Sequence, residues 1–421
     1  MNDVLWLAGV LLLPLAGWAV TRLPFVQRLD LAGRVAVALA AGMVAVTVVM
    51  YAYSLVGISW TRISVGTALL ALAIIGFLVN RGGKAAALEC GGAAAAFLFF
   101  LATLYAVATA RETCADLLYF WGPKAVHFHY AGKIDVEFLK FPHYFLMHPD
   151  YPPLLPLVYD WASLVARRFS YWGALYLTAF FLLATVLAFR GIIRTRLDAG
   201  QANRFALLLA AILAYGYAIG MVAGAGDPPL VFFETIALAA LTFAADDDRS
   251  AYAVAAIALA GAVFLKVEGT AFAAVLLAAF VVTRRRILPA IGIALAVALP
   301  GTLLLGSWIV LARHYDFVDN YGKGGKPLHL ELAGKVLAIT AREASYDALY
   351  LPWLAALGPL PFGRHARRAL LPLLTGLGVI AYTLFFYLHE PDPSWWIASS
   401  AARVLLTALM AFVVASAAAS E

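Results

Sequence analysis

The sequence predicts an all-α polytopic membrane protein with about thirteen transmembrane helices, and three observations carry that prediction. Of the 421 residues, 64% are hydrophobic and only 13% are charged, with a mean hydropathy of +0.88, far from the composition of a soluble domain. Apolar runs of about 17 to 25 residues recur along the whole chain, each long enough to cross a ~30 Å hydrocarbon core as a helix. The runs are continuously apolar and do not alternate, which argues against a transmembrane barrel.

Candidate spans cover residues 3–21, 35–57, 63–80, 85–109, 171–190, 205–224, 229–245, 251–266, 269–283, 287–312, 346–362, 369–388 and 402–418. Between the fourth and fifth, 153–168 reads as an amphipathic helix lying at the outer surface, opened by prolines and closed by Arg167-Arg168. The opening run MNDVLWLAGVLLLPLAGWAV has no basic n-region and is read as the first span. Ala-rich runs near 251–280 need only the bland explanation that small residues let membrane helices approach closely.

A net charge of +6 and an isoelectric point near 9.2 would suit a nucleic-acid partner. The basic residues fall instead in short clusters between apolar runs, so no nucleic acid is expected and the clusters read as topology signals. Arg22, Arg28 and Arg34, Arg81 and Lys84, Arg190 to Arg204, Arg249, Arg284 to Arg286, and Arg364 to Arg368 share one side of the predicted threading. By the positive-inside rule that side is cytoplasmic. The opposite side carries the long loops 110–170 and 313–345, the short connections 224–229, 266–269 and 389–401, and seven of the eight histidines. Loops of that length are usually functional, so chemistry is expected on the extracytoplasmic face. The two cysteines, Cys90 and Cys114, fall near opposite ends of one span, ~36 Å apart and too far for a disulfide.

Polar clusters gather at the outer ends of the spans. In RETCADLLYFWGPKA, Glu112 and Asp116 stand at i and i+4, followed by Trp121 and Lys124. In MHPDYPPLLP, prolines hold His148, Asp150 and Tyr151 on a rigid, extended backbone beside the membrane. GAGDPPL places Asp227 at one outer junction, and FLKVEGT places Lys266 and Glu268 at the next. Arg403, in HEPDPSWWIASSAARVLL, stands at the start of the last span, where a snorkelling arginine costs far less than a charge at the bilayer centre, and alone it is ambiguous; Trp395-Trp396 reads as part of an aromatic belt. The bland alternatives are a solvated loop start, a helix-start signal, tight-turn chemistry and an interfacial ion pair. Glu234, about one turn into its span, is the one acidic residue set deeper.

His127 and His129 stand two apart, on opposite faces of a helix, with no recognised metal-ligand spacing nearby. A divalent cation, Mg²⁺ or Mn²⁺, on Glu112, Asp116 or Asp150 is the metal alternative, since hard cations leave little sequence trace. No cofactor is required, and no P-loop or dinucleotide glycine motif is present.

An acidic residue in the first long outer loop, then roughly thirty residues, then a basic residue just ahead of a Pro-rich PPL is a recognisable order. Asp116 with HPDYPPL at 148–154 resembles the polyprenyl-phosphate-dependent GT-C glycosyltransferases, near the family 39 group of protein O-mannosyltransferases and lipid A aminoarabinose transferases. The resemblance covers the chain from about residue 85 onward, and it differs in two respects. Asp150-Tyr151 separates the basic residue from the proline pair, and three spans precede the one that opens the family module. It therefore implies N-terminal extra helices at 1–84, a GT-C module at 85–283 whose outer loop 110–170 carries juxtamembrane helices, and C-terminal helices at 284–421 with the loop 313–345.

The resemblance further implies inverting transfer of a sugar from a polyprenyl-phosphate donor to a hydroxyl of a glycan, lipid or protein acceptor. The site would face the extracytoplasmic side of a bacterial cytoplasmic membrane. Asp116 would be the general base. Lys124, His148, Lys266 and Arg403 would meet the donor phosphate, and Glu112, Trp121, Asp150, Tyr151, Asp227 and Glu268 would bind substrate. A carboxylate against a low-dielectric wall suits a base, and cations beside a phosphate leaving group supply the larger electrostatic effect. The rivals are a transporter or flippase for a lipid-linked or anionic solute, which places ionisable groups nearer the midplane, and a membrane O-acyltransferase with an outer histidine as base.

Overall fold

Within residues 2–79, 93–109, 114–141, 147–216, 223–245, 248–317, 327–345, 350–360 and 365–421, which are those the computed structural model describes, every regular element is helical. The chain opens with α1 (Asn2–Leu11) and α2 (Leu13–Ala16), with Pro14 at the start of the second, and then α3 (Pro24–Gln27). Next come α4 (Leu31–Leu55), α5 (Arg62–Val79) and α6 (Ala93–Ala108). The first long loop holds a π-helical turn, Asp116–Trp121, and the short helices α7 (Gly122–Ala131), α8 (Val136–Lys140) and α9 (Leu154–Ala166). They are followed by α10 (Tyr171–Ile193), α11 (Ala199–Gly216), α12 (Asp227–Phe243), α13 (Arg249–Val263), α14 (Val267–Thr283) and α15 (Ile287–His314). The C-terminal part is α16 (Ala333–Ala344), α17 (Leu351–Leu357), α18 (Ala366–Tyr387) and α19 (Pro393–Ala419).

Short polar residues set where the long helices begin, because a helix leaves its first N–H groups without intrahelical partners. Asp30 accepts from the Gly33 N–H at 2.8 Å to start α4, and Ser170 does the same for Gly173 at α10. Asp248 caps α13 through the Ala251 N–H at 3.1 Å, and Asp392 caps α19 through the Ser394 N–H at 3.3 Å. Small residues then let the helices close up. A Cβ on Gly33 would lie 3.0 Å from the Gly191 Cα, so α4 and α10 cross backbone to backbone.

Seven helical segments among the described residues are long and apolar enough to cross a membrane: Asn2–Arg22, Leu31–Leu55, Arg62–Val79, Tyr171–Ile193, Ile287–His314, Ala366–Tyr387 and Pro393–Ala419. Their outer faces carry exposed Ile63, Leu70, Leu295, Leu303 and Val310, a surface suited to lipid and not to water. Inside, one apolar cluster runs from Trp6 in α1 to Ala418 in α19. This is the architecture of an integral, polytopic, all-helical membrane protein.

Loops predicted to share a side touch one another. Arg28 pairs with Asp248, Arg190 with Asp30, and both Arg196 and Arg368 reach Glu421. At the other end of the bundle Asp3 accepts from the Ser170 hydroxyl at 2.6 Å, the Trp60 N–H reaches the Gly132 carbonyl at 2.7 Å, and the His329 N–H reaches the Leu388 carbonyl at 2.7 Å.

Three expectations change. The predicted surface helix at 153–168 is α9, and at 13 residues, about 20 Å, it is too short to cross. It does not lie on the surface, however: 12 of its 13 residues are buried, with Trp6 donating to Ser163 at 3.1 Å and Trp161 donating to the Gly9 carbonyl at 2.9 Å. Its polar residues face protein partners, which an amphipathic pattern cannot distinguish from water. Second, the region 313–345 is not loop throughout, because α16 lays Val336 and Ala344 in a cluster with Ile397, Ala401 and Leu405 of α19. α17 continues along α19, packing Trp353 at a tilt against Phe412 and receiving the Ser416 hydroxyl on the Ala356 carbonyl at 2.6 Å. Of the span expected at 346–362, only 350–360 are described, and they hold the seven-residue α17. Third, the last helix begins at Pro393 and not at 402, absorbing most of the connection predicted at 389–401.

Candidate functional site

Three helix starts converge at the end of the bundle opposite the arginine clusters. Asp116 opens the π-helical turn, Asp227 opens α12, and Glu268 lies in the first turn of α14. Each carboxylate therefore sits at a helix N-terminus, where partial positive charge favours it. Gly224, at φ 83°, turns the chain into α12, and a Cβ there would lie 2.6 Å from Leu117 Cδ2. At Gly226 a Cβ would meet Trp121 at 3.0 Å and the Lys266 stem at 3.1 Å. Glycine in GAGD is what seats Asp227 between the π-helical turn and Lys266.

The early start of α19 carries the next element. Arg403 lies ten residues along this helix, about 15 Å of rise from Pro393, and its side chain turns to protein partners. Its Nη1 donates to Asp227 Oδ2 at 2.9 Å and to Asp116 Oδ2 at 3.2 Å. Lys266 Nζ lies 3.3 Å from Asp227 Oδ1 and 3.3 Å from Glu268 Oε1. Two cations thus bind three carboxylates in one continuous network, mostly withdrawn from solvent. Such groups are tolerated there because each is paired.

Glu234 joins the same place from two turns further along α12. It is fully buried, accepts from the Thr407 hydroxyl at 2.7 Å, and lines a small cleft with Asp227, Glu268, Tyr382 and Arg403. Its Oε1 has no hydrogen-bond partner among the described residues. The sequence marked Glu234 only as set deeper than the rest; Thr407 and Tyr382, being ordinary residues for a span, carried no signal.

Lys124 forms a neighbouring wall. It is 1% exposed, donates to the His148 carbonyl, and lies 5.6 Å from the Trp121 ring centroid and 6.0 Å from that of Tyr151. Burial pushes its ammonium down to about 7, against the opposing pull of Asp150. His148 takes a left-handed backbone at φ 45° and packs between Phe120 and Tyr151, each 4.6 Å away by ring centroid. Burial, with Lys124 and then Lys266 nearby, pushes its imidazole down to about 3. The contact the structure shows for His148, picked from the sequence to meet a phosphate, is through its backbone carbonyl, which accepts from Lys124.

Of the remaining residues picked from the sequence, Trp121 packs against Tyr151 with tilted rings, centroids 6.0 Å apart, and the Asp150 carbonyl accepts from Trp308 Nε1 at 2.7 Å. Glu112 and Cys90 lie outside the described residues. Burial beside Asp116 pushes the Cys114 thiol up to about 12, which leaves it unreactive at neutral pH. His127 and His129 separate as their spacing requires: one lies 3.5 Å from Asp135, the other 2.8 Å from buried Asp160 on α9, a partner the sequence did not suggest. Among the described residues no three His, Cys, Asp or Glu side chains come together as metal ligands. Asp116 Oδ2, on one of the three carboxylates expected as the metal alternative, faces Arg403. Comparison of the chain with models of known protein families, with curated proteins and with solved structures finds no match.

Proposed function

We propose that this protein is a GT-C-type membrane glycosyltransferase that moves a sugar from a polyprenyl-phosphate donor to an acceptor hydroxyl. The observation that carries the reading is Arg403 bridging Asp116 and Asp227, with Lys266 on the far oxygen of Asp227. A carboxylate able to take a proton and two cations able to face a phosphate stand within one network. The acceptor oxygen attacks the anomeric carbon, its proton passes to Asp116, and the bond to the phosphate oxygen breaks with its electron pair going to the phosphate. The configuration inverts. Arg403, Lys266 and Lys124 stabilise the phosphate charge that develops, while Trp121 and Tyr151 wall the acceptor side. The positive-inside rule supports a site on the extracytoplasmic face of a bacterial cytoplasmic membrane, where nucleotide sugars are absent and a lipid must deliver the sugar. A divalent cation beside the phosphate is a subsidiary part of the proposal, tested by chelation.

The test is transfer from a synthetic polyprenyl-phosphate sugar by the purified full chain in lipid, with and without chelator. Asp116→Asn is expected to lower kcat by about 10²-fold or more while donor binding persists. Undiminished turnover in that variant sinks Asp116 as base.

One observation favours a second reading. Arg403 and Glu234 lie well inside α19 and α12, deeper than a purely interfacial site needs, as in transporters or flippases of anionic or lipid-linked solutes. Solute or lipid flux in liposomes, without transfer from any lipid donor, would establish that reading over the first.

A further inference from the structure

The arginine-rich end holds a second constellation that the site above does not use. A cavity of about 1150 Å³ opens among the ends of α12 and α14 and the starts of α15 and α18, large beside ordinary ligand pockets. Arg196, Arg284, Arg285, Arg286, Arg367 and Arg368 line it, and among the described lining residues Glu421 is the one acidic residue. Arg196 and Arg368 spend their charge on Glu421, and Arg284 lies over the Phe280 ring at 4.6 Å. Arg285, Arg286 and Arg367 are exposed and have no ion-pair or hydrogen-bond partner among the described residues. Phe280, Ile293 and Leu371 supply an apolar wall behind them.

Topology alone asks for basic residues near the inner ends of spans. It does not ask that those of three separate loops surround one cavity. Guanidinium groups gathered there repel one another, and an anion relieves that repulsion. We propose that the cavity binds an anionic membrane lipid whose headgroup carries two phosphates, its acyl chains following the apolar wall into the bilayer. The guanidinium fork matches phosphate oxygens in pairs. Three unpartnered arginines exceed the charge of a single phosphodiester, and the apolar wall selects a lipid over a free anion. The assignment stands independently of the transferase reading.

Full-length protein in neutral detergent is titrated with short-chain lipids carrying two, one or no net phosphate charges and with inorganic pyrophosphate, and bound molecules are counted by native mass spectrometry. The two-phosphate lipid is expected to bind at least tenfold more tightly than the zwitterionic one. The triple variant Arg285→Ala, Arg286→Ala, Arg367→Ala is expected to lose that preference. The matching triple lysine variant keeps the charge, retains most of the affinity, and reports that the fold survives. Arg313→Ala, at the opposite end, leaves binding unchanged. If the alanine triple does not fold, Arg367→Ala alone is expected to weaken binding several-fold. Equal affinity for the zwitterionic lipid, or unaltered binding by the alanine variants, overturns the proposal. Pyrophosphate binding as tightly as the lipid overturns the lipid assignment in favour of a soluble anion.

Discussion

Arg403 Nη1 lies 2.9 Å from Asp227 Oδ2, joining residues 176 positions apart on α19 and α12. The same nitrogen lies 3.2 Å from Asp116, so one guanidinium is the counterion of two sequestered carboxylates. Removing one partner of a buried pair is more costly than never having had it, because the remaining charge stays desolvated. Arg403→Ala is expected to lower unfolding stability by about 3 kcal/mol. Arg403→Lys should recover only part, since an ammonium is a point charge and not a fork. Thermal unfolding in detergent at matched lipid content measures both. An alanine variant as stable as the parent would mean that Lys266 alone neutralises the site.

Glu234 and Thr407 make a second buried pair with a different signature. Thr407→Val removes the hydroxyl that donates to Glu234 Oε2 and is expected to cost about 1–3 kcal/mol, the penalty for stranding a buried polar group. Once Glu234 is also made apolar, as in Glu234→Leu, nothing is stranded and the threonine substitution should cost far less. Equal costs in the two backgrounds would show that the pair does not interact. The double-mutant cycle reads this directly.

Lys124 links burial to pH. Its ammonium is pushed down to about 7 by burial, while a lysine in the unfolded chain titrates near 10.5. Between those values the unfolded chain holds a proton that the folded chain has released, so stability rises with pH across that window. Relative to Lys124→Met, the parent protein should gain up to about 1.4 kcal/mol per pH unit between pH 7 and 10. Unfolding measured for both proteins over that range gives the difference, and a flat line would mean that Lys124 keeps its proton.

The sequence makes most of the helical bundle legible, because continuous apolar runs leave no alternative to helices in lipid, and the acid–base composition of the site is readable for the same reason. A charged residue at the edge of an apolar run stands out, and Asp116, Lys124, Asp227, Lys266, Glu268 and Arg403 were all visible as such. Their connections were not. The start of the last helix is hidden because its apolar run begins near 402, whereas the Asp392-Pro393 cap and first turn begin it nine residues earlier. α9 was misread because Asp160 and Ser163 look solvent-facing until His129 and Trp6 supply their partners. For His148, no local pattern reports the burial and the two neighbouring lysines that push its imidazole down.

Two glycines with nearly the same backbone separate conformational strain from close packing. Gly57 and Gly224 have φ of 76° and 83°, where any side chain is strained. A Cβ on Gly57 would meet nothing within 4 Å, so Gly57→Ala is expected to cost about 1 kcal/mol, the backbone effect alone. A Cβ on Gly224 would lie 2.6, 2.9 and 3.1 Å from three Leu117 side-chain carbons, and Leu117 follows Asp116 directly. Gly224→Ala should therefore cost the same backbone strain and about 1–3 kcal/mol more for overpacking. It should also displace the π-helical turn and with it the Asp116 contact to Arg403. Replacing Leu117 with Ala in the Gly224→Ala background opens the space and should restore part of the loss. If Gly224→Ala and Gly57→Ala prove equally mild, the α12 start does not bear on Leu117, and the seating of Asp227 against the turn that carries Asp116 has some other cause.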